Sequence, residues 1–187
     1  MNIAIYCGSA FGNNKIYEES TKLLAQKLAL KNYNIVYGGS EQGLMGIISN
    51  ESLKYNNKVI GVITHDLAKK EFENKNITEI YRVNTIDERK EKMAELADGF
   101  IALPGGYGTF EEIFDVISAS QIGYHKKPCA FLNVNGYYDH LLKFLRNCVS
   151  EGFIKNTFVD MLIITDDIDE MIEKISTYQA PKSKWEI

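Results

Sequence analysis

The sequence predicts a doubly wound α/β fold in which a mostly parallel sheet carries helices on both faces. Two observations predict it. Short apolar runs alternate with amphipathic helical patterns along nearly the whole chain. The runs are also apolar at almost every position, as strands covered on both faces must be. A strand followed by a crossover helix and another strand gives a parallel pair. These features together define a Rossmann-like α/β domain, and the chain of 187 residues suits one such domain over 1–187.

The elements follow in order. NIAIYC (2–7) reads as a strand, and KIYEESTKLLAQKLALK (15–31) as an amphipathic helix. NIVYGG (34–39) and KVIGVIT (58–64) are strands on either side of a helix at 43–57. The polar stretch 65–77 lacks periodicity and predicts no regular element. A strand at 78–83, a helix at 85–97, a strand at 99–104 and a helix at 108–123 follow. CAFLNV (129–134), a helix at 136–152, MLIITD (161–166) and a helix at 167–177 complete the alternation. The tail QAPKSKWEI is expected to be poorly ordered or to dock on a partner.

Composition excludes several function classes. Net charge is −4 with no basic block, so neither a nucleic acid nor a membrane surface is expected as partner. No apolar run is long enough to span a membrane, and the N-terminus reads as a strand and not as a signal peptide. Three cysteines, far apart and without a CxxC spacing, point to reduced thiols and a cytoplasmic location. The three histidines are scattered, and no metal-ligand spacing is present. No cofactor or metal is expected.

In doubly wound folds ligands bind at the carboxyl ends of strands. Three glycine-bearing turns stand there: CGSAFGNN, YGGSEQGLMG and LPGGYGTFEE. The first lacks the GxGxxG spacing of a dinucleotide site, and no carboxylate ends the second strand, so NAD is not expected. No GxxxxGK[ST] occurs, which argues against ATP or GTP hydrolysis. The turn Pro104-Gly105-Gly106-Tyr107-Gly108-Thr109 between a strand and a helix start instead suits one phosphate. Missing side chains let backbone N–H groups approach an anion, and the helix N-terminus supplies free donors. The plainer alternative is a tight turn with a threonine cap. Ser9, Gly38, Gly39 and Tyr107, in these same turns, are candidate substrate contacts.

Helical wheels sort the charged residues. Phe110, Ile113, Phe114 and Ile117 share one arc, with Glu111 and Asp115 opposite it. Glu112 lies at the arc's edge and faces a crevice, whereas Glu111 reads as a solvated first-turn residue. Compensation of the helix dipole is the alternative for Glu112. On the helix at 85–97, Arg89 and Lys90 fall on the apolar stripe with Ile86 and Met93. A cation there is costly unless it is paired or faces a ligand. A snorkelling stem is the alternative.

YGGSEQGLMG, DERKEKM and ALPGGYGTFEE resemble, in order and spacing, the motifs of the Lonely Guy (LOG) phosphoribohydrolases, long labelled possible lysine decarboxylases. The resemblance covers roughly residues 1–155. It implies a Rossmann-like homodimer that hydrolyses the N-glycosidic bond of a nucleoside 5′-monophosphate, a cytokinin riboside monophosphate or AMP. It implies Arg89 and Glu112 as the catalytic pair, and Lys90, Gly105, Gly106, Gly108 and Thr109 as substrate contacts. A ligand-contacting glutamate in the loop after the third strand corresponds to Glu71. The chain departs from the family at Ser40 (for glycine), at Asp87 (in an MHxRK pattern) and at Thr64 (often proline). Ser40 and Asp87 are expected beside the crevice, where they bear on the preferred base. The rival readings are a non-catalytic nucleotide carrier of the same fold, a decarboxylase and a purely structural module.

Overall fold

The computed structural model describes residues 1–70 and 72–186. Its elements run β1 (Asn2–Tyr6), α1 (Ile16–Leu30), β2 (Asn34–Tyr37), α2 (Gly43–Lys54), β3 (Val59–Thr64), α3 (His65–Lys70), β4 (Glu79–Val83), α4 (Ile86–Leu96), β5 (Gly99–Ala102), α5 (Tyr107–Gln121), β6 (Cys129–Leu132), α6 (Asp139–Ser150), α7 (Asn156–Asp160), β7 (Ile163–Thr165) and α8 (Ile168–Ser176). Among the described residues seven strands form one sheet in the order β4-β3-β2-β1-β5-β6-β7. Every pairing in it is parallel.

Strict alternation along the strands makes two cores from one sheet. Ile3, Ile5 and Cys7 face one side with Ile35, Tyr37, Ile101 and Leu103, under α1, α2 and α8. Ala4 and Tyr6 face the other side with Val36, Val62, Phe100 and Phe131, under α4, α5, α6 and α7. Both sets of side chains are apolar, which is why the strands read as continuous greasy runs. Chain order reverses direction across the sheet between β1 and β5. That reversal opens a crevice at their carboxyl ends.

The departures from expectation are local. Residues 65–70 form α3 although none of its residues is buried. A threonine cap starts it: Thr64 Oγ1 accepts from Leu67 N at 3.1 Å. β5 stops at Ala102, because Leu103 and Pro104 already belong to the glycine turn. The helix expected at 136–152 begins later. Asn133 Oδ1 accepts from Tyr138 N at 2.7 Å, and Asn135 takes a left-handed φ of 53° within a 3₁₀ turn, so α6 starts only at Asp139. The five-residue α7 had no periodic signal. The tail returns to its own chain: Lys184 N donates to Gln121 O at 3.0 Å.

Candidate active site

Gly8 ties the first glycine turn to the other two. Its N–H donates to Pro104 O at 3.1 Å, and its carbonyl accepts from Leu44 N at 3.1 Å. The chains pass so closely that a side chain at Gly105 would overlap Thr109 Oγ1 and stand 2.9 Å from Gly8 N. Gly106 and Gly108 are different. A methyl group on either would meet nothing within 4 Å. Their bareness meets no packing demand; it leaves the start of α5 open. No side chain caps that helix end among the described residues, so its first N–H groups are available to an anion.

A second set of backbone bonds fixes the turn after β2. Asn74 N donates to Gly39 O at 2.9 Å and Glu41 N to Phe72 O at 3.0 Å. Arg82 holds this strap by donating to both oxygens of the buried Glu73, at 2.7 and 2.6 Å.

The crevice between these turns has a volume of about 320 Å³. Ser9, Arg89, Lys90, Gly106, Tyr107, Gly108, Thr109 and Glu112 line it together. Gly105 lies behind the turn, on a neighbouring hollow with Phe11, Tyr17 and Tyr137. Gly38 and Gly39 line neither space: Gly38 abuts the Nη2 end of the Arg89 guanidinium, and Gly39 packs on Ile63. Glu71 lies outside the described residues. Ser40, expected beside the crevice, is fully buried away from it. Asp87 stands at the rim.

The floor is an ion pair. Arg89 Nη1 donates to Glu112 Oε1 at 2.7 Å, with the two side chains 11% and 12% exposed. Arg89 Nε donates to Val62 O at 2.9 Å, which anchors the fork to the end of β3. Burial raises the Glu112 pKa above the ordinary glutamate value, and Arg89 opposes that rise. The carboxyl group is thereby brought nearer to a neutral working pH.

The outer carboxylate is more engaged than the wheel suggests. Glu111 lines the crevice and accepts from Lys90 Nζ at 3.0 Å, while Asp87 lies 3.2 Å from the same ammonium. The hydrogen bond to Glu111 raises the Lys90 pKa, so the amine stays charged.

The sequence reading missed Cys7, Met45, Leu67 and Ile86, which give the crevice its apolar lining. Ile86 did carry a signal, as an apolar residue opening a stripe that also bears two cations. Cys7 is a neutral thiol whose pKa burial pushes far up. No group of three or more His, Cys, Asp or Glu able to hold a metal occurs among the described residues.

A family model described as "Possible lysine decarboxylase" matches residues 45–175. The chain is 39% identical over 99% of its length to the probable cytokinin riboside 5′-monophosphate phosphoribohydrolase LOGL2 of Oryza sativa subsp. japonica, and spans 78% of that protein. It is 41% identical over 96% of its length to cytokinin riboside 5′-monophosphate phosphoribohydrolase LOG2 of Arabidopsis thaliana, and spans 84% of it. Among solved structures, the molybdenum cofactor carrier protein of Chlamydomonas reinhardtii superposes with a TM-score of 0.72 at 15% identity, over 94% of this chain and 95% of that one. The molybdenum cofactor binding protein of Rippkaea orientalis gives 0.70 at 19% identity, over 94% and 95%. At such low identity these structures speak for the fold alone.

Proposed function

This chain belongs to the LOG family of cytokinin riboside 5′-monophosphate phosphoribohydrolases, and on that premise we propose that it hydrolyses the N-glycosidic bond of a nucleoside 5′-monophosphate to a free base and ribose 5-phosphate. The observation that carries the reading is the largely shielded Arg89–Glu112 pair facing the same crevice as the uncapped start of α5.

The proposed steps follow from the chemistry of the bond. The 5′-phosphate takes the first-turn N–H groups of α5, with Thr109 and Ser9 hydroxyls and the charged Lys90 beside it. Remote binding of this kind orients the reacting carbon. As the C1′–N bond breaks, positive charge grows on the sugar and negative charge on the base. Ionised Glu112 stabilises the sugar cation and accepts a proton from the water that forms the new C1′–O bond. Glu112 then releases that proton to the departing base nitrogen, so the water is divided between sugar and base and the carboxylate is restored. Arg89 holds Glu112 in place and keeps it ionised.

The older decarboxylase label fits the site poorly. That chemistry uses a lysine amine that can be uncharged. Lys90, the lysine of the crevice, is instead held as an ammonium between two carboxylates. A non-catalytic carrier of the same fold is the second reading, because the open start of α5 and the charged Lys90 could hold a phosphate with no bond cleaved. Product analysis separates the two. Incubation with AMP and with its N6-isopentenyl form should release free base; binding without release would favour the carrier.

We further infer a homodimer, consistent with the exposure of Tyr107, Tyr124 and Phe153, and a single nucleotide-monophosphate-binding domain over 1–187, supported by the one continuous sheet. The three unpaired thiols fit a cytoplasmic location. No described helix is long and apolar enough to cross a membrane. Light scattering of the purified chain checks the dimer.

A further inference from the structure

Gly38 was expected among the substrate contacts, yet it abuts the Nη2 end of Arg89 and is absent from the crevice wall. A methyl group on Gly38 would overlap Arg89 Nη2 and stand 2.9 Å from Met45 Sδ. The Arg89 fork cannot easily move aside. Its Nε is bonded to Val62 O at 2.9 Å and its Nη1 to Glu112 Oε1 at 2.7 Å, and the residue is only 9% exposed. A planar guanidinium held at Nε and Nη1 has little freedom to withdraw its third nitrogen, Nη2, from a side chain set end-on against it.

We infer that Gly38 is a positioning residue for hydrolysis: its missing side chain leaves room for the Nη2 end of the Arg89 guanidinium, and through Arg89 it sets the place of the Glu112 carboxylate. The inference rests on the proposed roles of Arg89 and Glu112. It goes beyond them in moving Gly38 from the substrate to the support of the catalytic pair. Val62 O and Glu112 Oε1 hold the fork at Nε and Nη1, and Gly38 faces its Nη2 end. A side chain at 38 must therefore displace the fork from one or both of these bonds. Displacements of about 1 Å at a reacting centre cost on the order of 100-fold in rate.

The test is a double-mutant cycle on the full chain, using Gly38→Ala, Arg89→Ala and the double variant. Turnover of AMP or its isopentenyl form, binding of ribose 5-phosphate and thermal unfolding are read for each. Gly38→Ala should lose about 100-fold or more in kcat while ribose 5-phosphate binding stays as in the unaltered chain. With Arg89 dislodged, its restraint on the Glu112 pKa weakens, so the acid limb of kcat/KM should move to higher pH. The double variant should be no slower than Arg89→Ala alone. It should also unfold close to the temperature of Arg89→Ala, because the overlap with the guanidinium disappears and the remaining 2.9 Å approach is to the flexible thioether of Met45. That thermal arm holds even if Gly38→Ala alone fails to fold. Unchanged kcat in Gly38→Ala would overturn the inference. So would a loss confined to ribose 5-phosphate binding, or a Gly38 penalty of equal size with and without Arg89. Absence of turnover by the unaltered chain would instead remove the proposed reaction, and the thermal arm would still decide whether Gly38 leaves room for Arg89.

Discussion

Glu111 and Glu112 are chemically identical neighbours, and their surroundings give them different work. The Glu112 side chain is 12% exposed, pairs with Arg89 and has a raised pKa; that of Glu111 is 56% exposed and takes Lys90. Replacing Glu112 by Gln should lower kcat by roughly 100- to 10,000-fold, the range for a proton-transfer group, with ribose 5-phosphate still bound. The wheel separated the two residues, because burial follows helical phase. It could not show that Glu111 reaches Lys90, since that contact joins α5 to α4 across the crevice. Gly38 shows the same limit in another form. A double glycine at a strand's end signals close approach but does not say whether a ligand or an arginine approaches.

His125 supports a prediction of its own at this scale. Its Nε2 faces Val116 O at 2.8 Å and must donate, while its Nδ1 accepts from Lys127 N at 3.1 Å. Both bonds are made by the neutral ring. Burial lowers the pKa below the ordinary histidine value. The unfolded chain therefore binds a proton that the folded one resists, and stability falls as pH drops below about 6.5. The melting temperature should decline from pH 7 toward pH 5.5, and His125→Gln should flatten that part of the profile.

The helices that carry the site start in opposite ways. α4 is capped: Thr85 Oγ1 accepts from Glu88 N at 3.1 Å, and Glu88 Oε2 accepts from Asn84 N at 2.8 Å. The sequence carries the T-x-x-E spacing of a capping box, with the glutamate reaching one residue further, to Asn84 N. Thr85→Ala should cost about 0.5–2 kcal/mol, visible as a lower denaturation midpoint. α5 has no side-chain cap, and its first turn faces the crevice. Gly106→Ala places a methyl group in that open space. It should leave the melting temperature unchanged while weakening ribose 5-phosphate binding, the reverse of the pattern expected at Gly38. Among the elements, the strands and long helices were readable because burial on both faces leaves unbroken apolar runs. α3 and α7 were not, because six- and five-residue helices are too short to show a period.

At the scale of the whole molecule, the crevice is a consequence of topology. β1 and β5 send their turns in opposite directions, and Gly8 then ties three turns into one wall. Alternation of strands and helices carries the fold class, so the doubly wound sheet was legible from pattern alone. Which turns meet was legible only from the rule that ligands bind where strand order reverses. The apolar lining by Cys7, Met45, Leu67 and Ile86 was not, because it joins four elements whose side chains read as ordinary core in sequence. These scales meet in one crevice, where the parallel sheet sets the uncapped start of α5 beside the Arg89–Glu112 pair; the proposed reaction has that pair cleave the glycosidic bond. The most direct measurement is product analysis of AMP and N6-isopentenyl-AMP incubated with the unaltered chain and with Glu112→Gln. The account predicts free base and ribose 5-phosphate in equal amounts from the former and near-complete loss of both from the latter. Release of base by Glu112→Gln at the rate of the unaltered chain would contradict it.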